Sequence, residues 1–330
     1  MKTFVEQDHR NERVIIGLSG GVSSMVAAYL LKIQKYELIA VTIIEQTNPE
    51  THCSVSADDL ARIKDFCLRL KIPHHVIDAE EAFRERVQNR WISEKIEARQ
   101  WSSLCFACHE LRMELLFEKM TQLGAEYLST GHFAKLFHSE KGVSVHSVQD
   151  LSLDQSLILQ NLEQRILQSL LLPLASLGSG EVEKLVDNFS ILKERNEFFE
   201  CFSGELSQQE LVKFSSYNIA PVISSGPSKE APPLWSQIRL IDVRWSPEES
   251  RSQPINAYIN AGEQSIKVKV YAKTLETVLI TFAEPLHFTA FAQLALYKKK
   301  GGSAKVILSG KIEFCEQEEV SEQDSLELVF

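Results

Sequence analysis

Two short stretches carry residue types that could do chemistry. Gly17-Leu18-Ser19-Gly20-Gly21-Val22-Ser23-Ser24 follows a β-branched run and precedes a helical one. Adjacent glycines let a backbone turn tightly and aim its N–H groups inward, the start of a helix favours an anion, and serine hydroxyls can donate to phosphate oxygens. A Walker loop is excluded, because no Gly-Lys-Ser/Thr follows. A glycine turn that merely caps a helix is the plain alternative. Cys105-Phe106-Ala107-Cys108 is a CxxC, which suits a redox pair, half a zinc site or part of an iron–sulfur ligand set. No second CxxC exists, and Cys201 is the natural third thiolate. Cys53, Cys67 and Cys315 read as structural; Cys67 lies on the apolar face of a helix, where a cysteine behaves as a small hydrophobe. Thr130-Gly131-His132 ends a strand, where ligands bind in open α/β sheets. Taken singly, His132, Asp150 and Asp154-Gln155 are ordinary polar residues, and Lys298–Lys300 is a solvated turn.

Regular elements must position these groups. Val14–Ile16, the glycine turn, a helix over Met25–Lys32 and a strand over Glu37–Ile44 form the opening of an α/β sheet. A helix over Asp58–Leu70 presents Leu60, Ile63, Cys67 and Leu70 on one side, and His74–Ile77 is a third strand. Phe83–Gln100 and Arg112–Leu123 read as helices, Ala125–Ser129 as a fourth strand, and Ile158–Leu172 and Glu181–Asn188 as helices. Strands separated by helices predict a parallel sheet. After about Gly204 the character changes. Ser215–Pro233 is rich in Ser, Pro and Gly and reads as a linker. Seven alternating segments follow, from Gln237–Trp245 to Ala304–Leu308 and Ile312–Phe314, and predict a small antiparallel barrel. The expected division is 1–204, a shortened central region 205–235, and a barrel domain 236–330.

Composition narrows the class. With 330 residues, 44% hydrophobic and 24% charged, the chain is globular and long enough for about two domains. No apolar run reaches the roughly 18 residues of a spanning helix, and the polar start, Met1–Arg13, does not read as a signal peptide. Six sparse cysteines fit a cytoplasmic protein rather than a disulfide scaffold. A net charge of −10 argues against indiscriminate coating of nucleic acid, while leaving room for a local basic surface.

In order and spacing, these pieces resemble the bacterial tRNA-specific 2-thiouridylase family, and the S-G-G-V-x-S string matches the pyrophosphate loop of ATP pyrophosphatases. Gly17–Ser24 is similar to the family's G-L-S-G-G-V-D-S, and Cys53 with Asp58-Asp59-Leu60 to its C-x-x-x-x-D-L. Cys105-x-x-Cys108 with Glu110-Leu111-Arg112 resembles P-C-x-x-C-N-x-x-I-K, and Ser129–Ala134 resembles A-T-G-H-Y-A. Asp150–Ser156 is similar to D-x-x-K-D-Q-S, Leu172-Pro173-Leu174 with Glu181-Val182 to L-F-P-L…E-V, and Glu200-Cys201-Phe202 to I-C-F. In the barrel, Val243-Arg244-Trp245 resembles I-R-Y, and Glu284-Pro285 through Gln293 and Tyr297 resembles the E-P…G-Q-x-x-x-F-Y ending.

The resemblance implies an adenine-nucleotide α-hydrolase-like α/β domain followed by a β-barrel. It implies an enzyme that uses ATP and Mg2+ to adenylate the 2-carbonyl oxygen of a tRNA wobble uridine, which sulfur then replaces. Adenylation is chemically needed because that oxygen alone is a poor leaving group. ATP contacts are implied for Gly17, Leu18, Ser19, Gly20, Gly21, Val22, Ser23, Ser24, Ile43 and Gly131. Contacts to tRNA are implied for Ser103, Leu104, Cys105, His132, Leu153, Asp154, Gln155, Arg244, Trp245 and Gln293. Cys108 would be the catalytic cysteine and Cys201 the persulfide carrier. Cys105 stands where other members carry Asp, and resembles the type in which Cys105, Cys108 and Cys201 hold a 4Fe–4S iron–sulfur cluster. The implied partners are wobble-uridine tRNAs and a sulfur donor such as a cysteine desulfurase or relay protein, with no membrane.

The chain also departs from the pattern. Ser23 stands for the loop Asp, Met25 for a Ser, Ile43 for a Met, His109 for an Asn and Leu153 for a Lys. Ser102-Ser103-Leu104 replaces P-N-P, and the Y-T-I-G-Q-R-K segment of the central domain is absent. Two further readings therefore stand beside the thiouridylase. One is a catalytically diminished paralogue that carries sulfur or a cluster, or binds a partner; the other is a pyrophosphatase-loop enzyme acting on something other than tRNA.

Overall fold

The structure is a computed structural model and describes residues 12–45, 55–88, 103–188, 234–246, 255–261, 264–274, 276–287, 293–300 and 304–313. The chain divides into two compact units, one of 1–87, 108–133 and 163–216, the other of 88–107, 134–162 and 217–330. The expected boundary at 204 and the linker 205–235 lie outside the described residues, apart from the first residues of β8.

The first unit is a five-stranded parallel sheet in the order β3-β2-β1-β4-β7. Its strands are β1 (Arg13–Gly17), β2 (Glu37–Ile44), β3 (His74–Asp78), β4 (Tyr127–Ser129) and β7 (Leu170–Leu171). Val14, Ile15 and Ile16 are fully buried in succession, as a central strand covered on both faces requires. Helices α1 (Val22–Ile33) and α2 (Ala57–Leu70) connect the first three strands. Ser56 and Asp59 form a reciprocal capping box at the start of α2, and Lys71 in the left-handed region ends it. After β3 the short α3 (Glu80–Phe83) passes into a π turn over Arg84–Gln88; the rest of the helix expected to Gln100 lies outside the described residues. The order of strands reverses between β1 and β4, and ligands of open sheets sit at the carboxyl ends beside such a switch point.

Three sequence expectations are corrected. The helix expected at Arg112 begins at Ser103, so the CxxC lies on the first turns of α4 (Ser103–Gln122). The single helix expected over Ile158–Leu172 is α5 (Ser156–Gln160), α6 (Gln164–Ser169) and then β7, whose two residues are too few to show a strand period. A hairpin of β5 (Lys135–Ser139) and β6 (Gly142–His146), not anticipated, interrupts the alternation of strand and helix. Helix α7 (Ser179–Asn188) closes the described part of this half.

The second unit is a closed antiparallel barrel in the order β10-β11-β8-β13-β12-β9. It comprises β8 (Leu234–Trp245), β9 (Ile255–Ala261), β10 (Gln264–Ala272), β11 (Val278–His287), β12 (Gln293–Tyr297) and β13 (Val306–Glu313). Alternate residues such as Ile238, Leu240, Val268, Val270 and Ile280 fill it. The seven expected segments become six strands because residues 306–308 and 312–313 of the last two belong to one strand, β13, which carries a register shift between Ser309 and Lys311. The hairpin and α5 pack with the barrel in this unit. Ser147 N–H donates to Ala304 O at 2.9 Å, and Ser309 Oγ donates to Asn161 Oδ1 at 2.8 Å.

Candidate active site at the carboxyl edge of the sheet

The glycine loop leaves β1 at Gly17 and turns into α1 at Val22. Gly20 takes φ +80°, and a Cβ there would lie 3.0 Å from Asp59 Cβ, so the turn admits only glycine without strain. Ser24 Oγ donates to Gly21 O at 2.8 Å, and Ser19 N–H reaches Ser24 Oγ at 3.4 Å, so the serines tie the loop to itself. The first turn of α1 contains no acidic residue, so the positive end of its dipole is not offset there and suits an anion. Asp59 beside the loop is engaged by Ser56 N–H at 3.0 Å, Ser56 Oγ at 2.7 Å and Arg62.

Gly131, just past β4, is pressed onto this loop. A Cβ at Gly131 would lie 2.5 Å from Ser24 N and 2.6 Å from Ser23 C. The next residue, His132, is held at both ring nitrogens: Nδ1 is 2.7 Å from Thr130 Oγ1 and Nε2 is 3.1 Å from His109 Nε2. His109 follows Cys108 on α4, and Leu116 further along α4 backs Gly17. Contacts therefore run without a break from the glycine loop through Gly131 and His132 to the residue after the second cysteine. Cys108 is partly exposed and outside any disulfide.

A charged pair completes the edge. Glu45, directly after β2, is buried, and Arg112 Nε donates to its Oε1; Oε2 has no hydrogen-bond partner among the described residues. Burial holds both imidazoles neutral, lowering His109 well below the usual range and His132 to about 4; the neighbouring Arg112 adds to both. The unfolded chain takes up protons near pH 6.5, before these histidines can in the folded chain. Their contribution to stability is thus fully present above about pH 6.5 and is lost as pH falls towards about 4. Thermal melts at about pH 7.5 and about pH 5 should show the loss, and a His109→Gln/His132→Phe double variant should flatten the difference.

Of the residues expected to bind ATP, Gly17–Ser24 and Gly131 come together here, and Ile43 lies buried near the end of the neighbouring β2. Of the cysteines, Cys201 lies outside the described residues, and Cys105 is placed only as a backbone position one turn before Cys108. Cys67 is buried, with its thiol pushed up to about 11, as a structural cysteine should be. Ser103 and Leu104 open α4. In the barrel unit, Asp154 accepts from Val148 N–H at 3.0 Å, Ser156 Oγ at 2.7 Å and Tyr297 Oη at 3.3 Å. Burial raises Asp154 despite those bonds, and it raises Tyr297 further. Leu153 closes a short 3-10 turn and Gln155 is buried beside this network. Arg244 is exposed on β8 and donates to Asn161 O; Trp245 is half-buried next to it, and Gln293 opens β12. Sequence reasoning passed over Glu45, Arg112 and Thr130 as site residues and treated His109 only as a substitution. A carboxylate directly after the apolar run of β2 was the one available signal.

A glycine-rich loop at the switch point of a parallel sheet, in a chain that also carries a closed antiparallel barrel, defines an α/β protein of the HUP class. The family model described as tRNA methyl transferase HUP domain matches residues 12–202, and the chain belongs to the tRNA-specific 2-thiouridylase family that carries this domain. The chain is similar to the tRNA-specific 2-thiouridylase MnmA of Persephonella marina, with 33% identity over 251 residues, 71% of this chain and 70% of that protein. It is 31% identical to that of Lactiplantibacillus plantarum over 213 residues, 62% of this chain and 56% of the relative. The chain spans about half the length of most of the curated relatives it matches. Among solved structures, it is similar to the U34-tRNA thiolase NcsA from Methanococcus maripaludis with its 4Fe–4S cluster, at TM-score 0.41 and 19% identity, covering 61% of this chain and 62% of that one.

Proposed function

We propose that this chain is an ATP-dependent tRNA 2-thiouridylase of the wobble uridine. The observation that carries the reading is the unbroken run from the glycine loop, through Gly131 and His132, to Cys108-His109. It supports a phosphate cradle and a sulfur-bearing thiol at one sheet edge, as adenylation followed by sulfur attack requires. The loop N–H groups and serine hydroxyls bind the phosphates and orient the adenylating phosphorus towards the uridine oxygen. The loop offers no carboxylate to the magnesium ion that accompanies ATP, since Ser23 stands there. Sulfur reaches the uridine by one of two routes: as the outer sulfur of a persulfide carried on Cys201 with Cys108 as the catalytic thiol, or as sulfide held at an iron–sulfur cluster to which these cysteines would be ligands. Two cysteines one helical turn apart fit two thiolate positions of an iron–sulfur cluster, with Cys201 as the third. Such a cluster supplies an iron site at which sulfide can be held. Anaerobic purification should give roughly four irons per chain, lost in Cys108→Ala; colourless protein with stoichiometric zinc overturns the cluster. The division into 1–204, 205–235 and 236–330 is kept as the functional one, and the sulfur donor is proposed to be a cysteine desulfurase or relay protein.

The whole chain is at −10, so tRNA affinity must come from a local basic surface, and Arg244 and Lys298–Lys300 are exposed in the barrel unit. The barrel, with Arg244 and exposed Lys298–Lys300, is therefore the surface proposed to meet the tRNA phosphates. Charge reversal of the three lysines should weaken all tRNAs about equally and lower the salt dependence, because phosphate contacts carry no sequence information. Filter binding across a salt series checks this, and undiminished affinity overturns it.

Mass spectrometry of tRNA nucleosides tests the function itself. Deletion should remove 2-thiouridine from wobble positions, and the wild-type gene, but not Cys108→Ala, should restore it. The absence of an acid in the loop favours one second reading, a sulfur or cluster carrier. Calorimetry that finds no ATP binding at millimolar concentration, with the cysteine site intact, would support the carrier.

A further inference from the structure

We infer that the β5–β6 hairpin and the adjoining edge of the barrel form one RNA-binding face, in which a row of lysines takes phosphates and the ring of Phe137 stacks on an unpaired base. Residues 135–146 and 298–305 together carry six lysines against one acid, Glu140, in a chain whose net charge is −10. The fold lines these two distant segments up. Lys135 of β5 lies opposite His146 of β6. His146 in turn forms a bridge with Lys305, just before β13, and Lys298 N–H, just after β12, donates to Lys305 O at 2.9 Å. Residues directly opposite on antiparallel strands point to the same face. Lys135, His146, Lys305 and Lys298 therefore run across four neighbouring segments on one face, all within the barrel unit. At about 4.8 Å between strands the row spans roughly 14 Å, a length over which a nucleic-acid strand carries several phosphates. Lys298 and Lys305 are like charges set directly opposite each other, an arrangement that disfavours a sheet and that an anion relieves.

Phe137 lies on the same face, two residues along β5 from Lys135. It is 54% exposed, the one aromatic among the large apolar side chains that stand open to solvent in the described residues. His146 backs its ring, with centroids 4.2 Å apart and planes at 38°, and Ser144 Oγ lies 3.1 Å from His146 Nε2 and holds that imidazole in place. A lone exposed apolar residue needs no function. An aromatic ring backed on one side and set beside a row of cations is the combination that binds unpaired nucleotides, the cations on the backbone and the ring on a base.

The inference rests on the thiouridylase reading for naming the RNA as tRNA, and the experiments separate the two. Benzoylphenylalanine in place of Phe137 in the full chain reads the contact directly by photo-crosslinking. The control carries it in place of Leu68, which is 78% exposed on α2 in the other unit. Irradiation with a wobble-uridine tRNA should join RNA to the first and not to the second. Filter binding at low salt reads the affinity, with melting curves showing that each variant is folded. Phe137→Ala should lose roughly tenfold, the loss of one stacked base, and Phe137→Trp should stay within about twofold of the wild type. Lys135→Gln and Lys305→Gln should each lower the slope of log affinity against log salt by about one. Crosslinking at 137 no stronger than at 68, or wild-type affinity in Phe137→Ala, overturns the inference while tRNA binding by the wild type stands. So does crosslinking of 137 to a sulfur-donor protein in place of tRNA. No tRNA binding by the wild-type chain at low salt overturns the thiouridylase reading. In that case crosslinking of 137 to a mixed-sequence single-stranded RNA keeps the face as an RNA site, and its absence overturns both.

Discussion

Gly131→Ala should cost the chain its nucleotide affinity while leaving the barrel unaffected. The new methyl would be built 2.5 Å from Ser24 N and 2.6 Å from Ser23 C, and these are backbone atoms of the loop and the first turn of α1. Backbone cannot yield as a flexible side chain can, so either β4 or the loop must move by a substantial fraction of an ångström. Overpacking of this kind costs about 1–3 kcal/mol. If that cost falls on the bound geometry of the loop, ATP affinity drops roughly tenfold to a hundredfold. Gly180→Ala is the matched control, because nothing lies within 4 Å of a Cβ there. Calorimetric titration with ATP compares the two, and equal affinity in Gly131→Ala and wild type would show that the contact does not constrain the loop.

Arg112→Leu should be the most destabilising single change at the site. The Glu45 side chain is 3% exposed and that of Arg112 27%, so the pair is mostly withdrawn from water. Glu45 Oε2 already has no hydrogen-bond partner among the described residues, which leaves the guanidinium as its principal compensation. Removing one partner of a buried pair strands the other charge, at a cost of about 3–5 kcal/mol. For a unit of this size, that corresponds to a fall in melting temperature of roughly 6–20 °C. Replacing both residues by leucine removes the stranded charge as well, so the Glu45→Leu/Arg112→Leu chain should recover most of the loss. Thermal denaturation decides. A double variant as unstable as Arg112→Leu would mean that packing, and not charge, governs this corner.

Much of the frame was legible in the residues because it rests on local patterns. Glu37–Ile44 and Gln293–Tyr297 are strands with the expected bounds, since short apolar runs, β-branched-rich in the first and closed by lysines in the second, mark strand ends within a few residues. The glycine loop was legible for the same reason: Gly20 at φ +80° answers a local backbone demand. The β5–β6 hairpin gave little sign, because its turn at Glu140-Lys141 lacks the Asn-Gly or Asp-Gly signature, and β7 is too short for any period.

What only the tertiary structure decided are the contacts between groups distant in the chain. Nothing local to Thr130-Gly131-His132 announces that the glycine must be bare to seat Ser23 and Ser24, or that His109, 23 residues earlier, closes the second nitrogen of His132. Glu45 and Arg112 are 67 residues apart, and Asp154 and Tyr297 143 apart. Each of these residues is an ordinary polar side chain until the sheet and the barrel close around it. Burial then removes water as the alternative partner, so each must find its hydrogen bond or its counter-charge within the protein, and which partner it finds is set by the topology.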